Sequence, residues 1–136
     1  MANVIPKEVK KERADAFVAE TWKACLLTNA FVYVTGTYVT YADLLASGTE
    51  VVGTGYTAGG ATVANKASSY VDTTNVKLDA DDTAWTTATF AAVRYVAVYE
   101  TTGGKIRAIY DFGADKSVTS GTFTEEWSSS GLIKIS

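Results

Sequence analysis

The residues of this chain that could carry out acid–base chemistry are carboxylates, because none of its 136 residues is a histidine. Histidine is the usual general base, the usual activator of a nucleophile and the commonest metal ligand. Histidine-dependent triads and most zinc sites are therefore excluded. The acids that could act as a pair are Asp79, Asp81, Asp82, Glu125 and Glu126. Two carboxylates can hydrolyse a glycosidic bond, but acids in turns and along an outer strand are normally solvated.

The acidic run at residues 79–82 also has the density of oxygen ligands that calcium prefers. It lacks the invariant glycine and the bidentate glutamate of a calcium-binding loop. A plain turn is the favoured interpretation, with calcium as the alternative. We expect no metal and no other cofactor.

Four glycines, Gly53, Gly55, Gly59 and Gly60, are spaced through one strand-like run. They form neither a dinucleotide-binding fingerprint nor a phosphate-binding loop, since no Lys-Ser/Thr pair and no helix follow them. They predict backbone freedom at turns. The single cysteine, Cys25, lies in the apolar run AlaCysLeuLeu and is expected to be a buried small hydrophobe.

The chain is rich in aromatic residues, with eight tyrosines and three tryptophans. Such rings could form a platform on which sugars stack. However, Trp22, Tyr95, Tyr99 and Tyr110 lie in strand registers that predict a place in the core. A glycan-binding face therefore stays an alternative.

The net charge of −3 is small, and acids and bases are interspersed from Lys77 onward. Phosphate binding needs a concentrated basic surface, so we expect no direct nucleic-acid partner. Charges run through residues 7–20, so no secretory signal is predicted, and no stretch reaches the ~18 apolar residues of a membrane span. We expect a protein that stays in the cytoplasm in which it is made and does not bind membranes.

Residues 90–113 give the clearest structural pattern, two β-rich runs separated by ThrThrGlyGly. This pattern predicts an antiparallel hairpin. The first arm is apolar on both sides, which predicts an interior strand. One predicted face carries Val93, Tyr95, Ala97 and Tyr99. The other carries Ala92, Val96 and Val98. The second arm alternates more clearly, so one of its faces is expected to meet water or a partner.

The remaining chain predicts one helix at about residues 6–21. From Trp22 to Val34 its composition is typical of strands and predicts one buried strand followed by an irregular loop at ThrAsn. One or two helical turns are predicted at 41–46 and end at Gly48. Residues 50–63 predict a bulged or sharply turned hairpin. Further strands are predicted near 69–78, 84–89, 122–127 and 132–135. Seven or eight strands and one helix predict a mainly β protein, an antiparallel β-sandwich of the jelly-roll or immunoglobulin-like kind. The expected division is a helical arm at 1–21 and a sandwich domain at 22–136.

The N-terminal arm carries the candidate partner-binding residues. Its apolar face is thin and isolated helices of this length are marginal in water, so it either packs across one end of the sandwich or docks on a neighbouring subunit. The candidates are its bases and the apolar residues beside them: Val4, Ile5, Lys7, Lys10, Lys11, Arg13 and Phe17.

Four blocks of the chain resemble small virion proteins of tailed bacteriophages. They are 26–31 (LeuLeuThrAsnAlaPhe), 41–44 (TyrAlaAspLeu), 50–63 with its GlyTyrThrAlaGlyGly turn, and 111–135, which opens on AspPheGly and closes on GlyLeuIleLysIle. Together they span about residues 22–136 and leave the N-terminal helix outside. Such proteins are generally capsid or tail components, and the size here is similar to that of capsid decoration, or cement, proteins.

The resemblance implies a non-enzymatic structural protein on the capsid surface of the virion, assembled in the host cytoplasm. Its expected partners are the major capsid protein or another virion protein, and itself as a dimer or trimer, because unguarded sheet edges favour association. The alternative is a head or tail fibre or tail-associated module that recognises a receptor or a glycan. An enzyme is the third interpretation.

Overall fold

The computed structural model describes residues 4–136 and shows a mainly β protein with two antiparallel sheets and two helices. The predicted mainly β class and N-terminal helix are confirmed. In chain order the elements are α1 (Lys7–Ala19), β1 (Trp22–Thr28), α2 (Tyr41–Ser47), β2 (Ala61–Thr62), β3 (Ala67–Tyr70), β4 (Val76–Asp79), β5 (Thr83–Glu100), β6 (Ile106–Glu125) and β7 (Ile133–Ile135). Neither helix in this described part is long and apolar enough to cross a membrane.

The larger sheet has the order β2-β1-β5-β6 and is built around the predicted hairpin. The hairpin is longer than predicted, since the strands expected at 84–89 and 122–127 are the outer parts of β5 and β6. Repeated bulges allow this length, because the pairing register of β5 and β6 shifts five times along the ladder. Each bulge adds twist, so two very long strands can follow a curved core.

Strand β5 lies between β1 and β6, and residues 96–100 are buried on both faces, so the predicted interior strand is confirmed. The predicted face of Val93 is wrong. Ala92 adopts a left-handed backbone with φ 59°, and the register shifts on both sides of Val93. A shift of one residue turns a side chain to the other face, so Val93 packs with Val96 and Val98 rather than with Tyr99.

The hairpin turn after β5 is held by Glu100, which is only 5% exposed. Its carboxylate accepts hydrogen bonds from the backbone N–H groups of Thr102, Gly103 and Lys105 at 2.8–3.1 Å. These bonds hold the pKa of Glu100 below its usual value. A buried acid at this position is therefore a turn-forming residue.

The smaller sheet has the order β3-β4-β7. The single strand predicted at 69–78 is wrong, because a turn at residues 71–75 divides it into β3 and β4. Asp72 closes this turn by accepting hydrogen bonds from the backbone N–H groups of Thr74 at 2.7 Å and Asn75 at 2.8 Å. These bonds lower the pKa of Asp72.

Two hydrophobic clusters cover the two faces of the larger sheet. The first combines residues of both sheets, including Trp22, Val96 and Leu78. The second lies under α2, where Leu44 packs with Cys25 and the other buried side chains of that face. The predicted burial of Cys25 is confirmed, and it raises the pKa of the thiol to about 12. The helical turns predicted at 41–46 are also confirmed, ending at the left-handed Gly48.

The glycine-rich segment 50–63 is not the predicted hairpin, since only Ala61 and Thr62 form a strand, which pairs with β1. It is fastened to the larger sheet by Glu50. The Glu50 carboxylate accepts hydrogen bonds from the Tyr41 hydroxyl at 2.6 Å, the Tyr56 hydroxyl at 2.5 Å and the Gly59 N–H at 2.8 Å. The Tyr99 hydroxyl donates to the Gly59 carbonyl at 2.6 Å. This network stabilises the segment against β1 and β5.

Candidate interaction surface

The C-terminal end of α1 is fixed to the body of the protein. Phe17 contacts Trp22 with ring centroids 5.5 Å apart, and the Arg107 guanidinium lies 4.9 Å from the Phe17 ring. Arg107 also donates two hydrogen bonds to the Glu20 carboxylate, at 3.1 and 2.5 Å. Ala14, one turn earlier, is fully buried. This end of the arm is therefore part of the fold.

The basic side chains of α1 also contact their own chain. The Lys7 ammonium lies 4.7 Å from the Tyr70 ring, and Lys10 donates to the Thr74 carbonyl at 2.6 Å. Lys11 pairs with Asp15 at 2.9 Å. Four of the candidate partner-binding residues, these three lysines and Phe17, thus have contacts within the chain.

The other three candidates face outward. Val4 is 83% exposed and Ile5 is 60% exposed. Ile5 and the exposed Arg13 line a groove of about 440 Å³ between α1 and β7, which we call the arm groove. Val9, Ala16 and Ile135 supply its apolar wall. The structure therefore divides the predicted site into a cis-packed face and an outward face.

A second groove, of about 530 Å³, lies between the loop after β1 and the first part of β6. Its walls are aromatic: Phe31 contacts Tyr38 and Tyr95 at centroid distances of 5.0 and 5.4 Å, and Tyr33 lies 6.4 Å from Tyr38. Its β6 side is formed by Ile106, Arg107, Ala108, Ile109 and Asp111. We call this the aromatic groove.

The aromatic groove was not predicted from the sequence. The available signal was the run PheValTyrVal at 31–34, which has the composition of a strand and directly follows the irregular loop predicted at ThrAsn. Val32, Tyr33 and Val34 are 69%, 54% and 49% exposed, and Val39 is 53% exposed. Apolar residues that a loop does not bury indicate a surface for binding another molecule.

The four aromatic residues expected in the core, one tryptophan and three tyrosines, are buried to different extents. Trp22 and Tyr99 are buried as predicted, and Tyr99 stacks on Tyr41 at 4.6 Å. Burial raises the pKa of Tyr99 and of the half-buried Tyr110 to about 12. Tyr95 is half-buried and forms a wall of the aromatic groove. The predicted register placed all four rings in the core, and Tyr95 is the one of them that lines the aromatic groove.

Three of the carboxylates considered for catalysis, Asp82, Glu125 and Glu126, lie close enough for their charges to interact, and the other two, Asp79 and Asp81, bond to their own surroundings. Asp81 accepts from Asn65 at 2.5 Å, and Asp82 accepts from the Trp127 N–H at 3.3 Å. Glu125 and Glu126 both line a pocket of about 320 Å³, but they are neighbours in the chain rather than residues of opposite walls. Burial, followed by the charges of Asp82 and Glu126, raises the pKa of Glu125 to about 7.

The acidic turn at 79–82 does not assemble a cation site in the described structure. Across residues 4–136, no three His, Cys, Asp or Glu side chains come together in an arrangement that could hold a metal ion. The Asp79 carboxylate instead accepts from the Ala80 N–H at 2.9 Å.

Comparison with protein-family models, with curated proteins and with solved structures finds no match to this chain. Its function is therefore argued from its own residues and surfaces.

Proposed function

We propose that this chain is a non-enzymatic structural protein of a phage virion, a capsid decoration protein that binds the major capsid protein on the outside of the shell. In this proposal the two sheets form a β-sandwich of the jelly-roll or immunoglobulin-like kind. The support comes from the sequence blocks described above and from the two grooves. The enzyme interpretation has less support, because the candidate carboxylates do not face one another across a cleft.

The observation that carries the proposal is the uncovered apolar surface. Val4, Ile5 and Val9 on the arm are 83%, 60% and 48% exposed. The loop of the aromatic groove exposes a second group of aliphatic and aromatic side chains. Contiguous exposed apolar patches mark sites where another protein binds. In this proposal one surface contacts the shell and the other contacts a neighbouring copy.

We assign the shell contact to the arm groove. Its apolar wall is bordered by Lys10, Glu12 and Arg13. An apolar centre with a polar rim is the usual anatomy of a protein–protein interface. Val9 and Arg13 lie on the outward face of α1 and are therefore the residues whose substitution should affect binding most directly.

The test uses purified protein and particles that lack it. Val9→Asp and Arg13→Glu should reduce co-sedimentation with particles by at least about tenfold, the effect of losing an interface anchor. Val52→Asp is the matched control, because Val52 is 92% exposed and lies outside both grooves. Unchanged binding of the arm variants would contradict the assigned surface. If averaged electron-microscopy maps of the virion contain no density for this chain in the capsid or the tail, the proposed function is refuted.

Point substitutions are a sharper test than removing the arm. Deleting residues 2–17 would also remove the buried Ala14 and the contact between Phe17 and Trp22. We therefore expect that deletion to weaken the fold itself, so a loss of particle binding would have two causes. Val9→Asp and Arg13→Glu avoid this ambiguity.

The second candidate function is a receptor- or glycan-binding module of a fibre or tail. The aromatic groove favours it, because Tyr33 and Tyr38 line this groove together with the carboxylate-bearing Asp111. Sugars bind to such combinations of ring faces and hydrogen-bonding groups. A glycan array with the natural protein and with Tyr33→Ala tests it. An array without hits for the natural protein would remove this candidate.

A further inference from the structure

The aromatic groove has the shape and chemistry of a site for an extended peptide. Its β6 side is formed by consecutive residues of an edge strand, since β6 pairs with β5 on one side only. On the other side, the Val39 carbonyl accepts from the Ile106 N–H at 3.0 Å, and Thr40 bridges to Lys105. In the part of the chain that the structure describes, no named strand continues this cover beyond Ile106. An occupant would therefore find unpaired backbone groups beside aromatic rings.

Strand addition makes use of both features. An extended segment bonds to the backbone of an exposed edge, and its alternate side chains enter pockets that give specificity. An unpaired edge also favours association with another chain unless it is covered. The occupant should therefore be an extended, apolar segment whose side chains are exposed in the single chain.

This chain carries such a segment at residues 4–6, namely Val4, Ile5 and Pro6. It precedes the first turn of α1, and Pro6 is extended with φ −57° and ψ 145°. Val4 and Ile5 are the exposed side chains described above. Pro6 lacks an N–H group, so it would end any strand pairing that Val4 and Ile5 begin.

The segment cannot reach the groove of its own chain. Phe17 on α1 packs against the cluster between the two sheets, whereas Phe31, Tyr38 and Tyr95 belong to the cluster on the opposite face of the larger sheet. The 13 residues of α1 also separate the segment by roughly 20 Å from the end that contacts Arg107. Three extended residues span only about 10 Å.

We propose that the 4–6 segment of one copy binds the aromatic groove of a second copy as an added strand on the edge of β6. Each copy then gives one segment and receives another, which closes a symmetric pair or a ring. This inference rests on the proposed function, whose self-association it explains. The pairing removes Ile5 from the arm groove and leaves Val9, Arg13 and Ile135 there for the shell.

Disulfide trapping tests the pairing directly in the full-length protein. Ile5→Cys protein is mixed with Tyr33→Cys protein under mild oxidation, and the covalent heterodimer is measured. The native Cys25 is buried and does not compete. The control mixes Ile5→Cys with Val52→Cys, because Val52 is at least as exposed as Tyr33. We expect at least tenfold more heterodimer with Tyr33→Cys, and equal yields would overturn the proposal.

Sedimentation equilibrium gives the second readout. Ile5→Asp should weaken self-association by roughly 10- to 100-fold, the factor that corresponds to burying one isoleucine side chain. At a concentration low enough for both proteins to be monomeric, its unfolding midpoint should not change, because Ile5 is exposed in the single chain. Association as strong as that of the natural protein would overturn the proposal, and so would a natural protein that stays monomeric at every concentration tested.

The outcomes also separate this inference from the proposed function. If the disulfide forms at Tyr33→Cys but virions are found to lack the chain, the proposed function is refuted and the pairing stands. A protein that fails to pair but still decorates particles would refute the pairing and leave the function intact.

Discussion

Replacing Gly60 with alanine should destabilise the protein far more than an ordinary glycine substitution. A Cβ atom built on Gly60 would lie 1.8 Å from the Ala24 carbonyl oxygen and 2.8 Å from the Cys25 Cα atom. Both contacts are with the backbone of β1, so rotating a side chain cannot relieve them. Gly60 also has a left-handed φ of 82°. The segment 50–63 would have to move away from β1.

The cost can be worked out from the contacts that this movement would break. A left-handed backbone costs alanine about 1–2 kcal/mol, of which about 0.4–1 kcal/mol is offset by the smaller entropy of the unfolded chain. Moving the segment breaks the hydrogen bonds of Gly59 with Glu50 and Tyr99 and the pairing of Ala61 with Ala24. At about 1 kcal/mol for each bond, these losses add about 3 kcal/mol. We expect a total loss of about 3–5 kcal/mol.

Gly36→Ala is the matched control for this substitution. Gly36 has almost the same φ, 79°, but no atom lies within 4 Å of its Cβ position. It should lose only about 1 kcal/mol, since it has the backbone strain without the steric contact. Urea unfolding of both variants measures the difference in the free energy of unfolding. Equal losses would refute the argument that close approach to β1, rather than backbone freedom, requires glycine at position 60.

Three further predictions concern single side chains. Glu50→Gln should lower the free energy of unfolding by about 1–3 kcal/mol, because it removes the charge of an acceptor that three donors share. Tyr56→Phe removes two hydrogen bonds, the one donated to Glu50 and the one accepted from the Leu26 N–H at 3.0 Å, and should cost less because neither removes a charge. Urea unfolding of the two variants in parallel would show the order. Because the pKa of Glu125 is raised to about 7, its stabilising effect is complete below about 4.5 and is lost as the pH rises through 7. Melting temperatures should therefore fall across this range in the natural protein, and a Glu125→Gln variant with the same slope would disprove the assignment. Arg107→Lys keeps the charge but loses the two-bond contact with Glu20, so it should lower the free energy of unfolding by about 1–2 kcal/mol. It should also change the fluorescence of Trp22, which contacts Phe17. An unchanged fluorescence spectrum and unfolding midpoint would contradict the anchoring of α1.

The elements predicted correctly are those whose signals are local. The start of the helix at 41–46 is set by residues of its own first turn and its end by Gly48, and both signals lie within a few residues of the helix. The central hairpin follows from two β-rich runs and a glycine-containing turn. Cys25 and Trp22 lie in the most apolar strand, so their burial follows from composition.

The errors arose where the backbone departs from a regular period. Val93 was placed on the wrong face because a bulge at Ala92 does not show in the alternation of residue types. The segment 50–63 was predicted as a hairpin because its glycines favour turns. Its actual position depends on Glu50, whose partner Tyr41 is nine residues away on another element.

Composition and periodicity over a few residues are enough to predict the mainly β class, the N-terminal helix and the lack of histidine-dependent chemistry. Which faces of the chain stay uncovered depends on tertiary packing. This packing places Lys7 against Tyr70 and Lys10 against Thr74, leaves Val4 and Ile5 exposed, and joins residues 31–39 to residues 106–111 as the aromatic groove. The physical reason is that a groove is formed by segments about seventy residues apart, and only the pairing of β1, β5 and β6 brings them together.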